Sequence, residues 1–213
     1  MKEVSAPCSS CLQRTTHKVL HERAIRDEDR ITTYAMLECL GCHRVCLGEQ
    51  VLFTDDGEVE HNYYPSPVSR KEPDWILFMI LGLGGSKDQD ARLGSLLYEI
   101  YQAVYGGQYR LAAMGIRALL EQIMVSKVGD LGSFEKQLDA FEKAGYISSI
   151  QRGAMKATLE VGHAAMHRAY EPSEEDIKVA LDIVEGVIAP LYHHQFKAEK
   201  MAGRVPPRPR RKQ

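Results

Sequence analysis

Two groups of residues in this 213-residue chain have types and spacings suited to chemistry. The first is a pair of cysteine knuckles, Cys8-Ser9-Ser10-Cys11 and Cys39-Leu40-Gly41-Cys42. Two thiolates separated by two residues face one ion from a tight turn, and two such knuckles complete a closed tetrahedron. The 27 residues between the pairs exceed the roughly 15–20 of the common pattern. That length suits a ribbon whose knuckles are joined by a hairpin. The reading is a structural Zn2+ on Cys8, Cys11, Cys39 and Cys42. His17, His43 and Cys46 are substitute ligands, the last two lying in the dense run CLGCHRVC (39–46). A fully coordinated zinc keeps no open position, so this site promises stability and not catalysis.

The second group is a set of polar residues on two apolar segments. In QYRLAAMGIRALLEQIMVS (108–126) nearly every side is apolar, which places the segment inside a helical core. At about 100° per residue, Arg110, Arg117 and Glu121 fall on one line along it. A charged line on such a rod needs partners from another helix, or reaches the surface as a plain i,i+4 pair. The candidate partner is IQRGAMKATLEVGHAAMHRAY (150–170), where Glu160, His163 and His167 share one face and Arg168 stands at its edge. Three chemistries fit those histidines. They can satisfy acceptors in a helix junction, or ligate a metal through H-x3-H with Glu160. They can also act as general acid and base, His167 moving a proton while an arginine steadies developing phosphate charge.

The elements that must position these groups follow from periodicity. HKVLHER (17–23) and TYAMLEC (33–39) read as hairpin arms around the charged turn RDEDR (26–30), with a third strand near VCLGEQVLF (45–53). Residues 54–75 are rich in turn formers and hold three prolines, the mark of a linker or surface loop. WILFMILGLG (75–84) reads as a hydrophobic lead-in, and Gly82, Gly84 and Gly85 as a turn that does not fit a nucleotide loop. Five helices follow. The first spans 91–105, with Tyr98, Tyr101 and Tyr105 as a core stripe, and the second is the apolar rod. The third starts at Ser133 and stops at Gly145, and the fourth is capped by Ser148 or Ser149. The last begins at Ser173 with Glu174, Glu175 and Asp176, and Pro190 kinks or ends it. The expected fold is therefore mainly α, an antiparallel helical bundle preceded by a small β zinc ribbon. Its divisions are a ribbon at 1–55, linker and lead-in at 56–88, the bundle at 89–196, and a basic disordered tail at 197–213.

Composition narrows the class without naming the function. With 44% hydrophobic and 26% charged residues the chain is an ordinary globular protein. Its net charge of −2 hides an asymmetry: residues 197–213 carry seven Lys/Arg against one Glu, leaving −8 on the rest. Such a tail is a solvated end or an arm toward phosphates. The longest apolar run is about half the ~20 residues that span a bilayer, no secretory signal opens the chain, and a cytoplasmic protein with reduced cysteines is expected.

The runs YRLAAMGIRALLE, GDLGSFEKQL, GYIS and VGHAAMHRAYEPS resemble the family called domain of unknown function 4145, over about Tyr98 to Tyr192. The cysteine ribbon and the Tyr63-Tyr64-Pro65 linker are similar to members of that type. The resemblance implies a HEPN-like helical bundle from bacterial proteins, often with an N-terminal zinc ribbon and sometimes fused to restriction-endonuclease subunits. It also implies a homodimer and a setting in defence or RNA/DNA control. HEPN ribonucleases use an Arg-polar-x3-His motif. On this chain the polar position is His163 and the histidine is His167, while the arginine position is Gly162 and no arginine lies between Arg152 and Arg168. The departure favours a non-catalytic binding or regulatory module, its site formed by Arg110, Arg117, Glu121, Glu160, His163, His167 and Arg168. The alternatives are a metal-independent ribonuclease using His167 with Arg117 or Arg168, and a nucleic-acid binder working through ribbon and tail. The partner is nucleic acid or protein, and not a membrane.

Overall fold

The computed structural model describes residues 2–67, 70–82 and 87–206. The chain divides into two compact units, Met1–Lys71 with Tyr105–Gly107, and Glu72–Val104 with Gln108–Gln213.

The first unit is a five-stranded antiparallel sheet in simple meander order: β1 (Glu3–Cys8), β2 (Gln13–Arg26), β3 (Arg30–Cys39), β4 (Val45–Phe53) and β5 (Val59–Tyr64). The hairpin expected around residues 26–30 is present, with Arg26 opposite Ile31. Its strands are far longer than the expected arms, at 14 and 10 residues, and a register shift between Val19 and His21 bends β2. The mainly α fold with a small ribbon does not hold: this is a chain of a five-stranded half-barrel sheet followed by helices. Two edge strands account for the error. β1 carries Pro7, which an edge strand tolerates because it leaves a ladder N–H unused. β5, VEHNYY, is exposed at five of six positions and so shows no apolar alternation. Burial concentrates instead beside the knuckles, at Ala6, Cys8, His17, Leu37 and Cys39.

The second unit holds α1 (Trp75–Ile80), α2 (Lys87–Tyr105), α3 (Tyr109–Val128), α4 (Phe134–Lys143), α5 (Ser149–His167) and α6 (Glu174–Ile188). A π-helical turn, π1 (Ala189–His194), and α7 (Gln195–Ala202) follow. The apolar rod is α3, and it packs against α4, α5 and α6. Ile116, Leu119, Leu120, Ile123 and Met124 on α3 are sealed from water, as are Leu181, Val184 and Ile188 on α6. Each such side chain contributes about 1.5–3 kcal/mol by burial. Of the tyrosine stripe, Tyr101 is buried and Tyr98 is 43% exposed, so the stripe is only partly core.

Helix starts follow their caps. The Ser133 hydroxyl accepts from the Lys136 N–H, while Ser148 with Gln151 and Ser173 with Asp176 form reciprocal capping boxes. Pro190 does not stop the chain. It lacks the N–H an α-helix would use, and the wider π1 turn absorbs the misfit before α7 resumes. The lead-in is likewise helical, as α1. Gly84 and Gly85 of the Gly-rich turn, and residues 207–213 of the basic tail, lie outside the described residues; residues 197–202 of that tail belong to α7.

Candidate functional site

Four sulfur atoms converge in the first unit. The Sγ atoms of Cys8, Cys11, Cys39 and Cys42 all lie within 4.8 Å of one another, with Cys8–Cys42 at 3.6 Å and Cys11–Cys39 at 3.9 Å. A tetrahedral ion with metal–sulfur bonds of about 2.3 Å has sulfur–sulfur edges of roughly 3.8 Å, so the cluster fits such an ion. Both knuckles use the same turn. The Leu12 N–H donates to the Cys8 carbonyl and the His43 N–H to the Cys39 carbonyl, each at 2.9 Å. Leu12 and His43, each the residue after the second cysteine, take left-handed φ values of 56° and 59°.

Electrostatics point the same way. The Thr15 hydroxyl, 3.1 Å from Cys39 Sγ, leads the groups that pull that thiol down to about 5, with the backbone N–H groups of Cys42 and Gly41 assisting. Crowding acts oppositely on Cys11, which Cys42 and Cys8 push up to about 12. Four thiols this close ionise together only around a cation. The substitute ligands stand outside the cluster. His17 is buried with Nδ1 3.0 Å from the Thr15 carbonyl, His43 pairs with Glu38 at 3.2 Å, and Cys46 sits opposite Leu37 in β4.

In the second unit Gly162 sets the helix crossing. A Cβ at that position would stand 2.7 Å from both the Ala113 carbonyl oxygen and Arg117 Cβ, so α5 meets α3 backbone to backbone. Arg117 then reaches across. Its Nη1 donates to the Leu159 carbonyl at 2.9 Å, and its guanidinium lies 4.1 Å over the Phe134 ring of α4. Phe134 is placed by ion pairs that tie α4 to α5, from Arg152 to Glu135 at 2.7 Å and to Asp139 at 2.5 Å. The result is a crevice of about 200 Å3 lined by Arg117, Phe134, Glu135, Lys156, Glu160 and His163, with Leu138 and Leu159 beneath.

Other expected site residues are distributed as follows. His163 and His167 are neighbours, ring centroids 4.7 Å apart, and the buried His163 Nδ1 has no hydrogen-bond partner. His167 is exposed at the last turn of α5. Arg168 is taken by Glu160, and its guanidinium holds the Glu160 carboxyl below the usual carboxylate range, with His163 and Arg117 adding to the effect. Arg110 pairs with Glu171 at 2.5 Å, away from the crevice. Glu121 is exposed on α3 and outside the crevice lining, and Arg117 turns to Leu159 and not to Glu121. Among the described residues no hydrogen bond or ion pair joins His167 to an arginine. Sequence reasoning missed Phe134 and Lys156. Both become site residues only when α4 is laid across α5.

Fold and sites define a two-unit protein, a sheet carrying a four-cysteine cluster able to hold a metal ion and a helical unit with a polar crevice at one crossing. Residues 98–204, just over half of the chain, match the family described as Domain of unknown function (DUF4145), and the chain belongs to that family. No curated protein and no solved structure matches it. Among the described residues, no helix is long and apolar enough to cross a membrane.

Proposed function

We propose that this protein is a non-catalytic binding module. The crevice between α3 and α5 takes the ligand or partner through Arg117, Glu160 and His163, and a structural zinc ion on Cys8, Cys11, Cys39 and Cys42 staples the sheet. In keeping with the family resemblance, it works as a homodimer in the bacterial cytoplasm, engaging nucleic acid or protein in a defence or RNA/DNA-control system. The observation that carries the reading is the close approach at Gly162, which gathers a cation, an acid and an imidazole around one cavity. The nuclease alternative needs a free guanidinium at His167. Arg168 pairs with Glu160, and Arg117 donates to the Leu159 carbonyl and not to His167, which favours binding over cleavage.

Purified full-length protein incubated with mixed-sequence RNA and DNA tests this. The expected result is no cleavage, and any affinity falling about tenfold in Arg117→Met. Cleavage that vanishes in His167→Ala with the fold intact would make the protein a ribonuclease. Binding that falls steeply with salt and is lost on removing residues 204–213 would move the site to the tail.

A further inference from the structure

His193 plays no part in either site, yet it is the imidazole around which α1 is docked. It lies in π1, 8% exposed, and its buried Nδ1 has no hydrogen-bond partner. The Trp75 ring stands 6.2 Å from it, and the Phe78 ring 5.6 Å away, edge-on at 80°. Phe78 also meets Phe196 of α7 at 5.0 Å. Both Trp75 and Phe78 belong to α1, so this short helix rests on π1 through an aromatic box closed by a histidine. On its far side α1 is held by shape, since a Cβ on Gly94 of α2 would stand 2.8 Å from the Ile80 nitrogen.

The charges facing this box do not favour an imidazolium. Lys197 of α7 and His194 of π1 both oppose its protonation, after burial itself, and hold it below its usual titration range. The α1 segment WILFMI has no ionisable side chain, and Glu72 and Asp74 just before it each have a partner and are not among the groups that shift His193. From α6, Glu185 accepts from Tyr101 and Asp182 also has a partner. Glu199 of α7 accepts from Gln195, and Lys127 of α3 stands over the Tyr192 ring. A neutral imidazole fits this place. A cation there brings a second N–H to satisfy and a charge to bury, both costly in an apolar setting.

We propose that His193 is a pH-sensitive latch whose protonation releases α1 from π1 while the rest of the helical unit stays folded. The direction follows from linkage. An unfolded histidine takes up its proton near 6.5 whereas the docked one resists it, so docking is complete above that pH and weakens as pH falls through it.

Trp75 is the sole tryptophan of the chain, which makes it a direct reporter. Full-length protein titrated between about pH 7.5 and 4.5 is expected to show a red shift of Trp75 emission with a one-proton midpoint below 6.5. Amide exchange, corrected for its intrinsic pH dependence, is expected to rise about tenfold across Trp75–Ile80 and to stay unchanged in α3. His193→Gln removes the midpoint and His194→Gln keeps it. Quenching without a red shift, no shift before far-ultraviolet dichroism reports global unfolding, or a midpoint that survives His193→Gln would each overturn the latch. Should His193→Gln fail to fold, an NMR titration of His193 in the unaltered chain decides. A protonation midpoint that does not coincide with the Trp75 shift overturns the proposal.

Discussion

At Gly162 a single missing methyl group sets the geometry of the crevice. An alanine there would place its Cβ against the Ala113 carbonyl and the Arg117 stem, and neither belongs to a flexible chain end. Overpacking of this kind costs about 1–3 kcal/mol. For a chain of this size each kcal/mol lowers the melting temperature by roughly 2–4 °C. Gly162→Ala is therefore expected to melt several degrees lower in a thermal scan. Arg117→Met removes the charged donor from which the Leu159 carbonyl accepts in addition to its own helical N–H, a loss of about 1.5–3 kcal/mol. Glu121→Gln, at an exposed position with no link to the crevice, stays within about 0.5 kcal/mol of the parent. Equal losses at Glu121 and Arg117 would show that the crevice has no energetic identity. The sequence marked Arg117, Glu160 and His163 because helical spacing is local. It presented Gly162 only as an absent arginine, because a close crossing is a relation between two helices and leaves no pattern in one.

Among the elements, α6 owes its start to a capping box in which the Ser173 hydroxyl accepts from the Asp176 N–H and the Asp176 carboxylate accepts from Ser173. Ser173→Ala is expected to lose about 0.5–2 kcal/mol. The Ser173 backbone N–H leads the groups that hold the Asp176 carboxyl below its usual 3.8, helped by the Ser173 and Tyr170 hydroxyls. A carboxyl depressed by folding stabilises the fold above its ordinary range, and that stability drains as pH falls through 3.8 toward the lower folded value. The gap between Ser173→Ala and the parent should accordingly narrow below pH 4 in denaturant titrations; a constant gap would mean the Ser173 hydroxyl has no share in holding the carboxylate. The knuckles offer a second element-scale test. Elemental analysis is expected to return one zinc per chain, and Cys39→Ser to reduce it to well below one and lower the melting temperature of the sheet. Iron at that stoichiometry, or no metal, would refute the assignment.

Over the whole molecule, two kinds of information separate cleanly. The four-cysteine cluster was legible because each knuckle is a four-residue turn, and only the convergence of two knuckles needed the sheet. Helices α2 to α6 were legible through their 3.6-residue period, and α4 to α6 also through their serine caps. The extent of the sheet was not. β5 is an edge whose side chains stay mostly in water, so the alternation that betrays a half-buried strand never arises there, and β1 is a six-residue edge whose run is interrupted by Pro7. Nor was the α1–π1 docking legible, since Trp75 and His193 lie 118 positions apart and meet only after the chain has folded.

By itself, then, the amino-acid order determined which residues could bind an ion, that α2 to α6 would coil, and where α4 to α6 would begin. Those properties depend on neighbours within a few positions. Tertiary structure alone decided that Arg117 turns to Leu159, that Glu160 claims Arg168, and that a buried histidine sits in an aromatic box. Partner choice among charged and aromatic groups depends on distances that only packing sets.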